Sequence, residues 1–136
     1  MCEKYPPKTT EKSASSKRRK NRIRRGDDLS VATWNSDHLS LVTYDNLRDS
    51  KFDIVGLTEL HGDQSKWEGR QFIASEPTTR NDSAAGVGIM LSEQMAKNVK
   101  GFGNEGSSRV TWVRIGLSMF DIFAVCAYIP IVTFAS

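Results

Sequence analysis

Two polar side chains, one amide and one carboxylate, each follow a short apolar run. Asn35 follows Leu29-Ser-Val-Ala-Thr-Trp34, and Glu59 follows Phe52-Asp-Ile-Val-Gly-Leu-Thr58. Both runs are typical of buried strands, and α/β proteins commonly carry the ligands of hard cations at strand ends. Mg²⁺ prefers a carboxylate, neutral oxygens and water. Because Glu59 could supply the carboxylate and Asn35 could orient a phosphate or an attacking water, the pair indicates divalent-metal phosphate chemistry.

Two further side chains could belong to such a site. Asp37 lies two residues after Asn35 and could join the metal ligands. Tyr128 ends the last strong apolar run and could present its hydroxyl to a phosphate oxygen. Each candidate has a structural alternative: Asn35 or Asp37 could cap the following helix, Glu59 could be a surface strand end, and Tyr128 could be a core tyrosine. Spacing alone favours these alternatives.

Other chemistry-bearing residues give weaker patterns. His38 and His61 show no zinc-ligand spacing with each other or with the cysteines, although His61 closely follows Glu59. Gly86-Val-Gly88 has Leu91 where the dinucleotide fingerprint requires a third glycine, and it precedes a strand core. The sequence therefore predicts neither a zinc site nor a dinucleotide site.

The elements that must position these residues follow from apolar periodicity. A helix over 39–48, between strands at 29–33 and 54–58, makes a βαβ unit and predicts a parallel strand pair. Further strands are predicted at 71–75, 86–91, 109–115 and 120–128, with a hairpin connection at 116–119. Single helical turns are predicted at 65–69 and 92–97, the second capped by Ser92, and glycine-rich 101–108 is predicted to be a mobile loop. The order predicts an α/β protein with a mixed sheet.

Charge divides the chain at residue 26. Residues 1–26 hold ten Lys or Arg against two Glu, a net charge of +8, whereas residues 27–136 carry a net charge of −5. The first segment has too few large apolar side chains to order itself, so a disordered basic tail before one domain at 27–136 is predicted. Its basic cluster comprises Lys17, Arg18, Arg19, Lys20, Arg22, Arg24 and Arg25. The cluster is either a nuclear-localisation or nucleic-acid-binding arm, or a solubilising tail.

Composition also excludes some classes of protein. The N-terminus lacks the apolar stretch of a signal peptide, and no run reaches the ~18 apolar residues of a membrane span. Cys2 and Cys126 lie far apart in different contexts, so a disulfide is not expected. A nuclear or cytoplasmic protein that is neither secreted nor membrane-bound is predicted.

Five segments together resemble the endonuclease/exonuclease/phosphatase superfamily, especially the endonucleases of non-LTR retrotransposons and craniofacial-development-protein-2-like proteins. They are Ser30-Val-Ala-Thr-Trp-Asn35, Phe52-Asp-Ile-Val-Gly-Leu-Thr-Glu59, Ala85-Gly-Val-Gly-Ile-Met-Leu91, Ser108-Arg-Val-Thr-Trp-Val-Arg-Ile115 and Ala127-Tyr-Ile-Pro130. Their order matches that of the family over about residues 28–130, the first half of such a domain.

The resemblance implies a four-layer α/β sandwich and Mg²⁺-dependent cleavage of nucleic acid, with DNA a better candidate than RNA. By position, Asn35 resembles the family's active-site Asn, Glu59 its metal-binding Glu and Tyr128 its phosphate-contacting Tyr. Asp37 resembles an Asp that lies near the metal in some members. Phosphoinositide and nucleotide substrates occur in the same superfamily, and these segments do not separate them.

The family's second half brings an Asp-x-Asn and a terminal Asp-His pair, and no equivalent follows Tyr128 here. We therefore expect a truncated domain with little or no activity alone. The apolar strands at 86–91, 109–115 and 120–128 would need a covering partner or a second layer. Two alternatives stay open: a non-catalytic protein that binds nucleic acid or a partner through its basic tail, and an incomplete gene product.

Overall fold

Seven strands and two short helices form the described part of the protein, residues 28–69, 71–79 and 85–130 of a computed structural model. The strands are β1 (Val31–Asn35), β2 (Ile54–Thr58), β3 (Phe72–Ala74), β4 (Gly88–Leu91), β5 (Val99–Gly103), β6 (Val110–Gly116) and β7 (Asp121–Ala127). The helices are α1 (Leu41–Arg48) and α2 (Glu93–Ala96), with one 3₁₀ turn at Ser65–Trp67. The predicted tail and its basic cluster lie outside these ranges. Within them, no helix is long and apolar enough to cross a membrane.

The first sheet has the strand order β1-β2-β4-β3. Strands β1 and β2 run parallel, in a register that pairs Val31 with Ile54 and Asn35 with Thr58. Strand β4 is antiparallel to both β2 and β3. The predicted parallel pair and the mixed sheet are therefore confirmed, and β1 begins and ends two residues later than predicted.

The second sheet is antiparallel, with the order β5-β6-β7. The predicted hairpin between β6 and β7 is confirmed, since Leu117 N–H donates to the Phe120 carbonyl across the turn. The mobile loop predicted for 101–108 is wrong in its first part, because Val99–Gly103 is strand β5. Its glycines let the strand pass beneath a large ring: a Cβ at Gly103 would lie 3.0 Å from the Trp112 Nε1.

Helix α1 begins two residues later than the periodicity predicts. Ser40 is its N-cap, and the Ser40 hydroxyl accepts a hydrogen bond from the Thr43 N–H. Leu39 is buried just before the cap and extends the apolar pattern into the loop. The alternative interpretation of Asn35 or Asp37 as the cap of this helix is wrong. A cap by Ser92 is confirmed for α2.

The elements pack as helix, sheet and sheet. Helix α1 contributes Leu47 and Tyr44 to a core on one face of the first sheet, with Val55 and Met90. The opposite face packs against the second sheet, and this core contains Ile54, Ile73, Val87, Ile89, Leu91, Met95, Val113, Ile115 and Cys126.

The outer face of the second sheet is open. Strand β4 is buried along its length, as its apolar sequence predicts. Strand β7 is not, since Phe123 is 62% and Val125 is 55% exposed. The second sheet thus buries one face and leaves the other, partly apolar, in contact with solvent.

Candidate functional site

The loops that follow β1 and β2 are tied side by side. Ser36 N–H donates to the Thr58 carbonyl at 3.1 Å, and His38 N–H donates to the Glu59 carbonyl at 3.2 Å. The parallel register already pairs Asn35 with Thr58. Asn35 and Glu59, distant in sequence, therefore lie at neighbouring carboxyl ends of two parallel strands.

A third segment, just before β4, holds the second loop from the other side. Leu60 N–H donates to the Gly86 carbonyl at 2.9 Å, and His61 N–H donates to the Ala85 carbonyl at 3.1 Å. Gly86 has φ +96°, and a Cβ there would lie 2.9 Å from the His61 backbone nitrogen. A glycine is needed at this position for backbone conformation and close approach.

The two loops bring one carboxylate and two imidazoles together. The His61 Nε2 lies 3.0 Å from the Asp37 Oδ1, and the ring centroids of His38 and His61 are 4.7 Å apart. One potential ligand atom from each of the three side chains lies within 4.8 Å of the others. We call Asp37, His38 and His61 the loop cluster. Glu59 is not a member of it.

His38 and His61, which show no zinc-ligand spacing along the chain, are neighbours in the structure. Asn35 and Thr58 are partners in the register of β1 and β2. His38 lies three residues after Asn35, and His61 lies three residues after Thr58. The hydrogen bonds from the Ser36 and His38 N–H groups to the Thr58 and Glu59 carbonyls hold the two loops together beyond this pair. The missed signal was this common offset, which becomes visible only once the strand register is known.

Backbone strain concentrates in the same two loops. Asp37, His38, Glu59 and His61 have φ of 40°, 82°, 56° and 56°. Among the described residues, Glu105 is the only other non-glycine residue with a positive φ. Such conformations each cost of order 1–3 kcal/mol and cluster at functional sites.

The site is open to solvent. The Asp37 side chain is 81% exposed and that of His61 is 24% exposed. Asn35 is exposed and Glu59 is half-buried. A cation or a phosphate could therefore reach these groups without any displacement of the core.

Tyr128 lies at the same end of the molecule. It follows β7 directly, and its N–H donates to the Arg109 carbonyl at 2.8 Å. The Cys126 thiol donates to the Leu57 carbonyl at 3.4 Å, which places the ends of β7 and β2 together. A cavity of about 400 Å³ between these strands is lined by both Thr58 and Ala127. Tyr128 also packs against the core between the sheets, in keeping with its structural alternative.

The structure thus brings Asn35, Asp37, Glu59 and Tyr128 to one end of the sandwich, and their roles stay predictions.

No protein-family model matches the chain, and a search of curated proteins finds no match either. The resemblance described above therefore depends on the five sequence segments themselves.

Proposed function

We propose that residues 28–130 are the metal-binding part of a phosphodiesterase domain that acts on nucleic acid. One observation carries the proposal: β1 and β2 pair in parallel, so that Asn35 and Glu59 emerge at neighbouring carboxyl ends beside solvent. Catalytic and ligand-binding groups of α/β proteins occupy this edge because adjacent strand ends position side chains rigidly.

The donor set suits Mg²⁺, which binds oxygen ligands and retains several waters. The Glu59 carboxylate would hold the ion, with Asp37 as a second carboxylate within the same pair of loops. The Asn35 amide and the Tyr128 hydroxyl would orient the phosphate. A bound divalent ion would supply charge stabilisation to the phosphoryl oxygens and lower the pKa of a bound water.

We propose that the chain alone turns over slowly or not at all. Hydrolysis also needs a group that activates the attacking water and one that stabilises the leaving oxygen. The resemblance assigns those tasks to an Asp-x-Asn and an Asp-His pair in a second half of the domain. A four-layer arrangement would further require cover over the second sheet, and the exposed Phe123 and Val125 support this part of the proposal.

The test compares the wild-type chain with Glu59→Gln, which removes the charge and keeps the shape. Glu93→Gln is the matched control, because the Glu93 side chain is 80% exposed and forms an i,i+4 ion pair with Lys97 along helix α2. Mg²⁺ should perturb the backbone amide resonances around Asn35 and Glu59 in the wild type and in Glu93→Gln, and not in Glu59→Gln.

Cleavage of supercoiled DNA and of RNA would be measured on the same three proteins with Mg²⁺. We expect at most trace cleavage, with DNA preferred. An absence of Mg²⁺ perturbation at both strand ends would refute the proposed site. Robust cleavage that is lost in Glu59→Gln would instead refute the claim that the chain alone is inactive.

A second candidate function is binding of nucleic acid or a partner through the tail, favoured by the net charge of +8 on residues 1–26. Seven basic side chains in Lys17–Arg25 would release counterions from DNA, so the slope of log K against log salt should approach about −6. Deletion of residues 1–26 should abolish this binding. DNA affinity that survives the deletion unchanged would exclude the tail as the binding element.

A further inference from the structure

We propose that the loop cluster of Asp37, His38 and His61 binds a divalent transition-metal ion, with Zn²⁺ as the reference ion. This site shares Asp37 with the oxygen-only Mg²⁺ site proposed for Glu59 and differs from it by its two imidazole ligands. It does not depend on a phosphodiesterase function, because it follows from the geometry of three side chains.

The donor types select the class of ion. Imidazole nitrogens suit Zn²⁺, Cu²⁺, Ni²⁺ and Fe²⁺, whereas Mg²⁺ and Ca²⁺ favour oxygen ligands only. Two histidines and one carboxylate form a recurrent three-ligand set, and three protein ligands leave a coordination position open for water or substrate.

The distances are close to those that coordination requires. Zn–N bonds of about 2.0–2.1 Å place tetrahedral ligand atoms about 3.4 Å apart. The Asp37 Oδ1 and His61 Nε2 are 3.0 Å apart, and all three ligand atoms lie within 4.8 Å of one another. Side-chain rotations that shorten the longer of these separations would complete the set.

The backbone holds the ligands in place. His38 is tied through its N–H to the Glu59 carbonyl, and His61 through its N–H to the Ala85 carbonyl. All three members of the loop cluster have positive φ. Strain of this kind persists only where the surrounding structure enforces it. The three side chains are therefore oriented together by two loops that strand register fixes.

The competing interpretation is an exposed hydrogen-bonded pair of Asp37 and His61. That pair accounts for two of the residues. It does not account for His38. This residue has the largest φ in the loop cluster, 82°, and its ring centroid is 4.7 Å from that of His61. A metal site needs all three, so the two interpretations differ in what they predict for His38.

The protein offers an unusually direct test, because His38 and His61 are its only histidines. The untagged full chain, with Cys2→Ser to remove a tail thiol, would be titrated with Zn²⁺ and separately with Mg²⁺. Imidazole nitrogen resonances would be followed by NMR. We expect both imidazoles to shift with one equivalent of Zn²⁺, whereas Mg²⁺, which would bind at Asp37 and Glu59, should leave the His38 imidazole unshifted. Absence of a Zn²⁺ response, or a response of one imidazole only, would overturn the proposal.

Substitutions then distinguish a three-ligand metal site from a hydrogen-bonded pair of Asp37 and His61. His38→Gln, His61→Gln and Asp37→Asn each remove a ligand and should weaken Zn²⁺ binding at least about 100-fold, because loss of a group that merely supports a ligand already costs about 10–100-fold. Asp63→Asn is the matched control, because Asp63 lies in the second loop and its carboxylate accepts from the Ser65 N–H, outside the cluster. If His38→Gln bound Zn²⁺ with the affinity of the wild type, the proposal would be overturned, even if His61→Gln failed to bind Zn²⁺.

Circular dichroism would check that each variant is folded. If a variant is not folded, the Zn²⁺ titration of the wild-type imidazoles decides whether the loop cluster binds the ion. Glu59→Gln should retain Zn²⁺ binding. Failure of Zn²⁺ binding with intact Mg²⁺ perturbation at Glu59 would refute this proposal alone, and the reverse outcome would refute only the proposed Mg²⁺ site.

Discussion

Single glycines decide how closely the segments around the site can approach. Gly86 and Gly88 do not form a nucleotide fingerprint; they admit neighbouring atoms where a side chain would collide. At Gly88, a Cβ would lie 2.7 Å from Cζ and 2.8 Å from Cε2 of Phe72, and 3.1 Å from Cδ1 of Leu60. The Phe72 ring therefore occupies the space that a side chain at this position of β4 would need.

Gly88→Ala should accordingly lower the free energy of unfolding by about 1–3 kcal/mol, the usual cost of overpacking a core. Urea unfolding followed by tryptophan fluorescence would measure it. Gly69→Ala is the control, because nothing lies within 4 Å of a Cβ there, and its effect should stay within about 0.5 kcal/mol. Equal stability of the two variants would show that Phe72 moves aside without cost.

Part of the candidate site is predictable from the sequence. The βαβ pattern predicts that Asn35 and Glu59 lie together, since each follows an apolar run. The proximity of His38 and His61 is not predictable in the same way, because it depends on the exact register of two strands that a helix separates along the chain. A slip of one residue would change every neighbour across the pair.

Among the elements, strongly apolar strands were predicted well and the polar edge strand was not. β2 has the predicted bounds, and β6 and β7 differ by one residue at each end. β5 contains Lys100, Gly101 and Gly103, residues that are depleted in strands. It forms because its backbone completes the edge of β6 and its glycines accommodate Trp112. Tertiary pairing outweighs local propensity there.

The contact between β7 and β2 predicts the reactivity of a thiol. Cys126 is a free cysteine buried between the sheets, and burial raises the pKa of its thiol while its S–H donates to the Leu57 carbonyl. In a Cys2→Ser background, alkylation at pH 8 should be slow in the folded protein and increase steeply with denaturant. Mass spectrometry of the modified chain would measure both rates.

The raised pKa of the Cys126 thiol also predicts how the free energy of unfolding changes with pH. Because the folded pKa lies above its ordinary value, the neutral thiol favours the folded state fully below the ordinary value of about 8.5. This contribution is lost as pH rises toward the folded pKa. Cys126→Ala should therefore lose less stability than the wild type between neutral and alkaline pH. A thiol that reacts rapidly in the folded protein would contradict the packing of β7 on β2.

The whole molecule is a helix–sheet–sheet stack with one uncovered face. Trp112 and Phe123 stack on that face with ring centroids 5.4 Å apart, and Val125 lies further along β7. Strands β1 and β7 also lie at sheet edges, with no further strand beyond them among the described residues. Exposed apolar faces and open edges are sites of association.

Val125→Lys should therefore reduce concentration-dependent self-association, as measured by sedimentation velocity, with stability within about 0.5 kcal/mol of the wild type. Met119→Lys is the control, because it adds the same charge in the exposed hairpin turn, away from the sheet face. Equal effects of the two substitutions would show that net charge, and not the uncovered face, governs association.

The pairing of β1 with β2 has one more consequence, for chains that fold incorrectly. A slip of one residue between these strands would pair Asn35 with Leu57 or Glu59 and turn each β1 side chain to the other face of the sheet. It would also shift the loops that carry His38 and His61 relative to each other. Such a molecule could keep much of its secondary structure and still separate its two imidazoles. The mutual position of those rings therefore reports whether the first two strands have met in the correct alignment.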